Sequence, residues 1–216
     1  MTNFKMSSLI QEINKLKKEQ ISKIINEKIK VFKSFQFKDD KEWFPELCFC
    51  ILAANSKART SLNIQNQLQY KGLTTLNQEQ LSKVILENKH RFHNNKAKFI
   101  IEARKYKDIK TILQKIIKEQ GIIQAREWLV NNIKGIGYKE ASHFLRNTGH
   151  TELAILDRHI INLMAEDNMI IKPKTLTKNI YLDIEKQFQN LSEKMNLESG
   201  ELDLYMWYMK AGEVIK

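Results

Sequence analysis

The sequence predicts an all-α protein made of two helical lobes flanking a cleft, and three observations carry that prediction. Proline occurs twice and glycine seven times in 216 residues, so the two residues that most often interrupt helices are scarce. Apolar residues recur at threes and fours along most of the chain, as they do on the inward stripe of an amphipathic helix. Four of the seven glycines, Gly121, Gly135, Gly137 and Gly149, fall close together, which marks one region of tight turns beside which the cleft is expected. No fixed-period repeat and no long low-complexity linker divides the chain, so residues 1–216 are read as a single domain of two lobes.

The elements follow in order. SSLIQEINKLKKEQISKIINEKIKVFKSF places Leu9, Ile13, Leu16, Ile21, Ile24 and Ile25 at helical spacing, with lysines on the outer faces. FPELCFCILAAN is apolar nearly all round and reads as a central buried helix, with Pro45 in its first turn. Cys48 and Cys50 lie inside that run and read as small core residues, since no second cysteine pair exists to complete a metal site. NQEQLSKVILEN, NKAKFIIEARKYKDIKTILQKII and IQAREWLVNNI repeat the amphipathic pattern. After the turn KGIG, YKEASHFLRN forms another helix closed by Gly149, and Asp157 is placed to cap the helix RHIINLMAED. TLTKNIYLDIEKQFQNLSEKM and SGELDLYMWYMKAGEVIK supply two more, the last stopping near Gly212.

Charge narrows the function. Thirty-six Lys and Arg against 25 Asp and Glu leave a formal +11, which favours a polyanionic partner, nucleic acid first among them. A composition rich in lysine, asparagine and isoleucine also arises without any such partner. No window approaches the ~20 apolar residues of a membrane span, and the first twenty residues mix charge throughout, so a soluble cytoplasmic protein with no membrane contact is expected.

The chemistry concentrates in KGIGYKEASHFLRNTGHTELAILDRH, from Lys134 to His159. Helix, glycine turn and helix over about 122–148 make a helix-hairpin-helix. Gly135 and Gly137 free the backbone and clear side chains so that N–H groups can approach a phosphate, although an ordinary turn between two helices uses glycines as well. Lys139 lies in the first turn of the second helix, where the positive end of the helix dipole and the basic surroundings favour a neutral amine over an ammonium. It is either a nucleophile, which requires the free amine, or a phosphate ligand; Glu140 beside it moderates the electrostatic case. Asp157 can cap its helix and also stabilise a developing cation or handle a proton.

The hairpin ending in Gly-Ile-Gly-x-Lys, followed by Ile-Leu-Asp-Arg-His with its Asp eighteen positions after Lys139, resembles the helix-hairpin-helix superfamily of DNA base-excision glycosylases. KGIGYKEASHFLRN together with RFHNNKA at 91–97, AANS at 53–56 and the final WYMKAGEVIK is similar to the archaeal-type 8-oxoguanine DNA glycosylase/AP lyases, over nearly the whole chain. The resemblance implies a bifunctional enzyme of base-excision repair acting on double-stranded DNA with 8-oxoguanine or abasic sites, as a monomer and without cofactor or metal. Lys139 would be the nucleophile that forms a Schiff base at the deoxyribose, and Asp157 the carboxylate that assists it. The damaged base must leave the stack to be reached, and Trp207 and Phe92 are the candidate faces for it. Lys216, the last residue of the sequence, would read the base edge through its carboxylate. Asn55 would fill the gap left by the base, and Arg91, Lys96 and Lys98 would hold phosphates. Without the resemblance Trp207 reads first as a core aromatic, Phe92 has the same alternative, and the polar residues are equally readable as solvated surface.

The likeness has departures. Lys134 stands where the broader superfamily has a proline before the first glycine, and no four-cysteine cluster follows Asp157, which disfavours an iron–sulfur enzyme acting on oxidised pyrimidines. A glycosylase of the same fold acting on another damaged base, and a non-catalytic hairpin module that only holds phosphate, remain as alternatives.

Overall fold

The structure is a computed structural model that describes residues 7–216; residues 1–6, part of the amino-terminal stretch read above, lie outside the described residues. Every regular element among them is helical: α1 (Ser8–Leu16), α2 (Ile21–Ser34), α3 (Asp40–Ala53), α4 (Ala58–Thr75), α5 (Gln78–Glu87), α6 (His93–Ala103), α7 (Ile109–Gln120), α8 (Ile122–Asn132), α9 (Tyr138–Asn147), α10 (Arg158–Glu166), α11 (Lys178–Lys194) and α12 (Ser199–Ala211), with short 3-10 turns at Phe35–Phe37 and Arg104–Tyr106. None of these helices is long and apolar enough to cross a membrane. The described residues divide into two compact units, one from 7–33 with 149–214 and 216, the other from 34–148 with 215.

In the first unit the lysine-rich amino-terminal run is two helices. Ser7 caps α1 by accepting from the Ile10 amide at 3.3 Å, and the break at 17–20 resets the helical phase. The buried stripe of α2 then runs Ile21, Ile25, Ile29 and Phe32, four and three residues apart, which leaves Ile24 on the flank at 51% exposure rather than in the expected core. The segment before α10 is clamped from α11: Glu185 accepts from the Ala154 amide at 3.1 Å, and the Tyr181 hydroxyl donates to the Ala154 carbonyl at 2.8 Å. Glu198 joins Thr151 to Lys33, whose ammonium lies 2.6 Å away; these two donors hold its carboxyl below the usual range against the opposing effect of burial.

The second unit is built around α3, which is buried on nearly all sides from Trp43 to Ala53 as its composition predicts. It begins earlier than expected, because Asp39 caps it by accepting from the Lys41 amide at 2.9 Å; Pro45 therefore sits inside the helix and not in its first turn. Cys48 and Cys50 are fully buried core residues. Helix α4 escapes the sequence pattern: its eighteen residues bury only Ser61, Ile64, Leu68 and Leu73, and Gln69 breaks it at φ 49°. Asn77 and Gln80 form a reciprocal capping box at the start of α5.

Helix α9 packs on α3 through Trp43 against Phe144 and Phe49 against His143, edge to face at 5.9 and 5.6 Å between centroids. A buried carboxylate locks the two helices together. Glu46 accepts from Asn147 at 2.6 Å and from Gln65 at 3.2 Å, and Asn147 is itself held by two nitrogens of Arg146. Burying such a charge is tolerable only because its oxygens are satisfied.

Candidate active site

The hairpin forms as the sequence predicts, with α8 and α9 joined by the turn 133–137. Its helices are held together at two points. The Tyr138 hydroxyl donates to the Glu127 carboxylate at 2.6 and 2.7 Å, and buried Arg126 donates to Ser142 at 3.3 Å while its guanidinium lies 5.3 Å from the Tyr138 ring.

The two glycines of the turn differ. Gly135 has φ +84°, and a Cβ there would lie 2.5 Å from Cδ2 of Phe99, so both backbone and space demand glycine. Gly137 caps α9 with φ −105° and ψ −169°, a conformation open to any residue, with nothing nearer than 3.6 Å to an added Cβ. The expectation that both glycines supply a special backbone therefore holds for Gly135 alone; at Gly137 the absent side chain leaves room over the helix start. Gly135→Ala is expected to destabilise the fold by about 2 kcal/mol or more, from the left-handed backbone and the clash together. Gly137→Ala should cost under about 1 kcal/mol. Thermal unfolding of the two variants side by side checks the contrast.

Lys139 and Glu140 occupy the first turn of α9. The Lys139 ammonium lies 3.0 Å from Oε1 of Glu140, and the two side chains are 27% and 13% exposed. Lys139 is thus not the uncompensated cation that the helix dipole alone suggested: a largely buried carboxylate accompanies it. Lys134, the other lysine of the turn, is 65% exposed and pairs with Glu102 at 3.1 Å.

Several of the other candidates belong to the same unit. Asn55 is exposed just beyond α3 with φ +60°, in a turn suited to asparagine. Phe92 is partly exposed at the start of α6, with the exposed Arg91 guanidinium 4.5 Å from its ring centroid. Lys98 is exposed. Lys96 departs from the expectation of a phosphate ligand on the surface: it is 4% exposed, and its Nζ donates to the Ile51 carbonyl at 2.7 Å. Burial lowers its ammonium to about 8, with Glu140 opposing and Lys139 reinforcing that shift.

In the other unit Asp157 caps α10 as predicted. Both cap bonds, from the amides of His159 at 2.8 Å and Ile160 at 2.9 Å, fall on Oδ1, so the cap makes no use of Oδ2. His159 stands edge to face with Trp207 of α12, 5.4 Å between centroids. The Trp207 indole N–H is shielded from solvent and has no hydrogen-bond partner among the described residues, an uncommon state for a tryptophan that serves only as core. Lys216 is partly exposed.

The family model described as 8-oxoguanine DNA glycosylase matches residues 3–197. The chain belongs to that 8-oxoguanine DNA glycosylase family. An 8-oxoguanine DNA glycosylase/AP lyase of Methanocaldococcus jannaschii is 47% identical to this family member over 96% of this chain and 99% of the relative. The crystal structure of the Methanocaldococcus jannaschii 8-oxoguanine glycosylase/lyase in complex with a 15mer DNA containing 8-oxoguanine matches with a TM-score of 0.92 at 46% identity, covering 96% of this chain and 99% of that one. The 8-oxoguanine DNA glycosylase of Thermotoga maritima matches with a TM-score of 0.89 at 36% identity, covering 96% and 98%. Two residues that sequence reasoning did not name as site candidates stand out in the structure. They are Glu140, in contact with the candidate nucleophile, and His90, buried between α3 and Phe92.

Proposed function

We propose that this chain excises 8-oxoguanine from double-stranded DNA and cleaves the strand at the abasic site that results. The observation that carries the reading is Lys139 in the first turn of the hairpin's second helix, within a family whose relatives are named 8-oxoguanine DNA glycosylase/AP lyase. In this reading the Lys139 amine attacks C1′ of the damaged nucleotide. The N-glycosidic bond breaks, the base departs with the electron pair and takes up a proton, and the sugar ring opens to a Schiff base with Nζ. Loss of a C2′ proton then expels the 3′ phosphate by β-elimination.

Attack requires that Nζ first give up a proton, and Glu140, 3.0 Å away, is the acceptor already in contact with it. Asp157 supplies negative charge to the cationic sugar at the transition state, through a carboxylate whose Oδ2 the helix cap leaves unused. Phe92 and Trp207 are each proposed as a face for the extruded base, Asn55 as the residue that enters the gap it leaves, and Arg91 and the amides at Gly135 and Gly137 as holders of backbone phosphate. The buried ammonium of Lys96 contributes charge from beneath this surface, not a direct phosphate contact. The enzyme acts as a monomer on one duplex, on abasic sites as well as 8-oxoguanine, in the cytoplasm in association with the nucleoid.

Borohydride reduction on three labelled duplexes tests the reading: one with 8-oxoguanine, one abasic, one undamaged. A covalent adduct on the first two and none on the third is the expected result; no adduct on any, with binding intact, leaves only the phosphate-holding hairpin. Lys216 is the proposed reader of the base edge. Its deletion should reduce discrimination of 8-oxoguanine from guanine by about tenfold or more, the worth of one hydrogen bond involving a charged group. Unchanged selectivity in single-turnover excision removes that role.

A further inference from the structure

A helix leaves its last four carbonyls without partners in its own ladder, and the end of α3 satisfies all four. Cys50 and Ala53 accept from the amides of Ala54 and Ser56, at 3.3 and 3.1 Å, within the turn that carries Asn55. The other two are taken by side chains from far along the chain: Ile51 accepts from Lys96 Nζ at 2.7 Å, and Leu52 lies 2.9 Å from Nε2 of His90. A cation at Ile51 also suits the negative end of the α3 dipole.

His90 does more than complete this cap. It is 1% exposed, and its second ring nitrogen, Nδ1, accepts from the backbone N–H of Phe92 at 3.2 Å. The two partners fix the tautomer. A carbonyl only accepts, so Nε2 carries the hydrogen; a backbone N–H only donates, so Nδ1 is bare. A doubly protonated ring cannot make both bonds. Burial, with smaller help from Lys96 and His93, keeps the imidazole below its usual range against the opposing bond to Leu52. The backbone of Phe92 is non-helical, φ −104° and ψ 35°, and its side chain makes no capping bond, so the amide bond to His90 fixes the point from which the ring projects. The His90 and Phe92 rings stand 6.5 Å apart, inclined at 64°.

We propose that His90 is a positioning residue for base excision: anchored on the Leu52 carbonyl at the end of α3, its bare Nδ1 holds the Phe92 backbone and so aims the ring on which the extruded base stacks. This rests on the reading of Phe92 as a base-stacking face. The same imidazole joins the end of α3, three residues before Asn55, to the start of α6.

The test separates the two nitrogens. In His90→Asn the amide oxygen falls near Nδ1 and can accept from Phe92, whereas in His90→Gln the amide nitrogen reaches toward Leu52 and the acceptor for Phe92 is lost. The readout is the single-turnover rate of 8-oxoguanine excision divided by the cleavage rate of a preformed abasic duplex. Both rates come from one preparation, so a loss of folded protein does not move the ratio. His90→Gln and His90→Ala should lower it by about tenfold or more, on the scale by which a misplaced substrate-orienting group slows a reaction. His90→Asn should keep it within about threefold of the parent. Phe92→Ala is run beside them and should lower the ratio as well. If Phe92→Ala lowers the ratio and His90→Gln does not, the role of His90 is overturned while the stacking face stands. If His90→Asn falls as far as His90→Gln, ring packing or the Leu52 anchor outweighs the Nδ1 bond, which overturns the role given to Nδ1. An unchanged ratio in Phe92→Ala removes the stacking reading, and the inference with it.

Discussion

Lys139→Gln is expected to eliminate the borohydride-trapped adduct on both 8-oxoguanine and abasic duplexes and to reduce strand cleavage by roughly 10⁴-fold or more, the scale on which loss of a covalent nucleophile acts. The variant should fold. It loses the ion pair with the largely buried Glu140 carboxylate at 3.0 Å, which should cost about 1–3 kcal/mol, short of unfolding, because the glutamine amide can still donate to that carboxylate. Duplex affinity should stay within a few-fold of the parent, because the hairpin's amides and the remaining lysines carry that term and glutamine is close in length to lysine. Gel analysis of trapped products together with equilibrium binding to an uncleaved duplex checks both halves. Persistent nicking in Lys139→Gln would move the nucleophile elsewhere. Lys134 is the next amine in the turn, but at 65% exposure and paired with Glu102 it is placed as a surface cation.

That the position of Lys139 in the first turn of α9 was legible in the sequence, and the inward placement of Lys96 and His90 was not, has a physical reason. Periodicity and turn chemistry are local, so they located YKEASHFLRN as a helix with the bounds that α9 shows, Asp157 as a helix cap, and the apolar run FPELCFCILAAN as a buried helix, which in the structure starts earlier and ends at Ala53. Lys96 and His90 are set by a non-local demand. The orphan carbonyls at the end of α3 need donors, and those donors come from 45 and 38 residues further along the chain. Nothing in NNKAK distinguishes the lysine that turns inward from the exposed one two positions later. Ile24 erred by a smaller distance, since a four-residue break between α1 and α2 shifted the buried stripe. Gly137 erred in kind: a glycine beside one that needs positive φ need not share that conformation.

Asp157 has an observed structural role and a proposed chemical one, and the two can be separated by substitution. As a cap it needs only an acceptor oxygen for the amides of His159 and Ile160, which asparagine provides about as well as aspartate. As a participant in the reaction it needs its charge. Asp157→Asn should therefore lose less than about 1 kcal/mol of stability, the part owed to a negative charge at the positive end of the α10 dipole. Its excision rate should nonetheless fall by about 10²–10⁴-fold, in the range attributed to acid–base and electrostatic assistance. Asp157→Ala should show the same loss of rate and a further destabilisation of about 1 kcal/mol, because no side chain then accepts the two amides. Thermal unfolding and single-turnover excision on the two variants give the four numbers required. A rate that follows stability, near the parent's in Asp157→Asn and low only in Asp157→Ala, means that the cap is the whole role of Asp157 and that the charge opposite the cationic sugar must come from another carboxylate. A rate equally low in both, with only the alanine variant destabilised, assigns the chemistry to the ionised carboxylate itself.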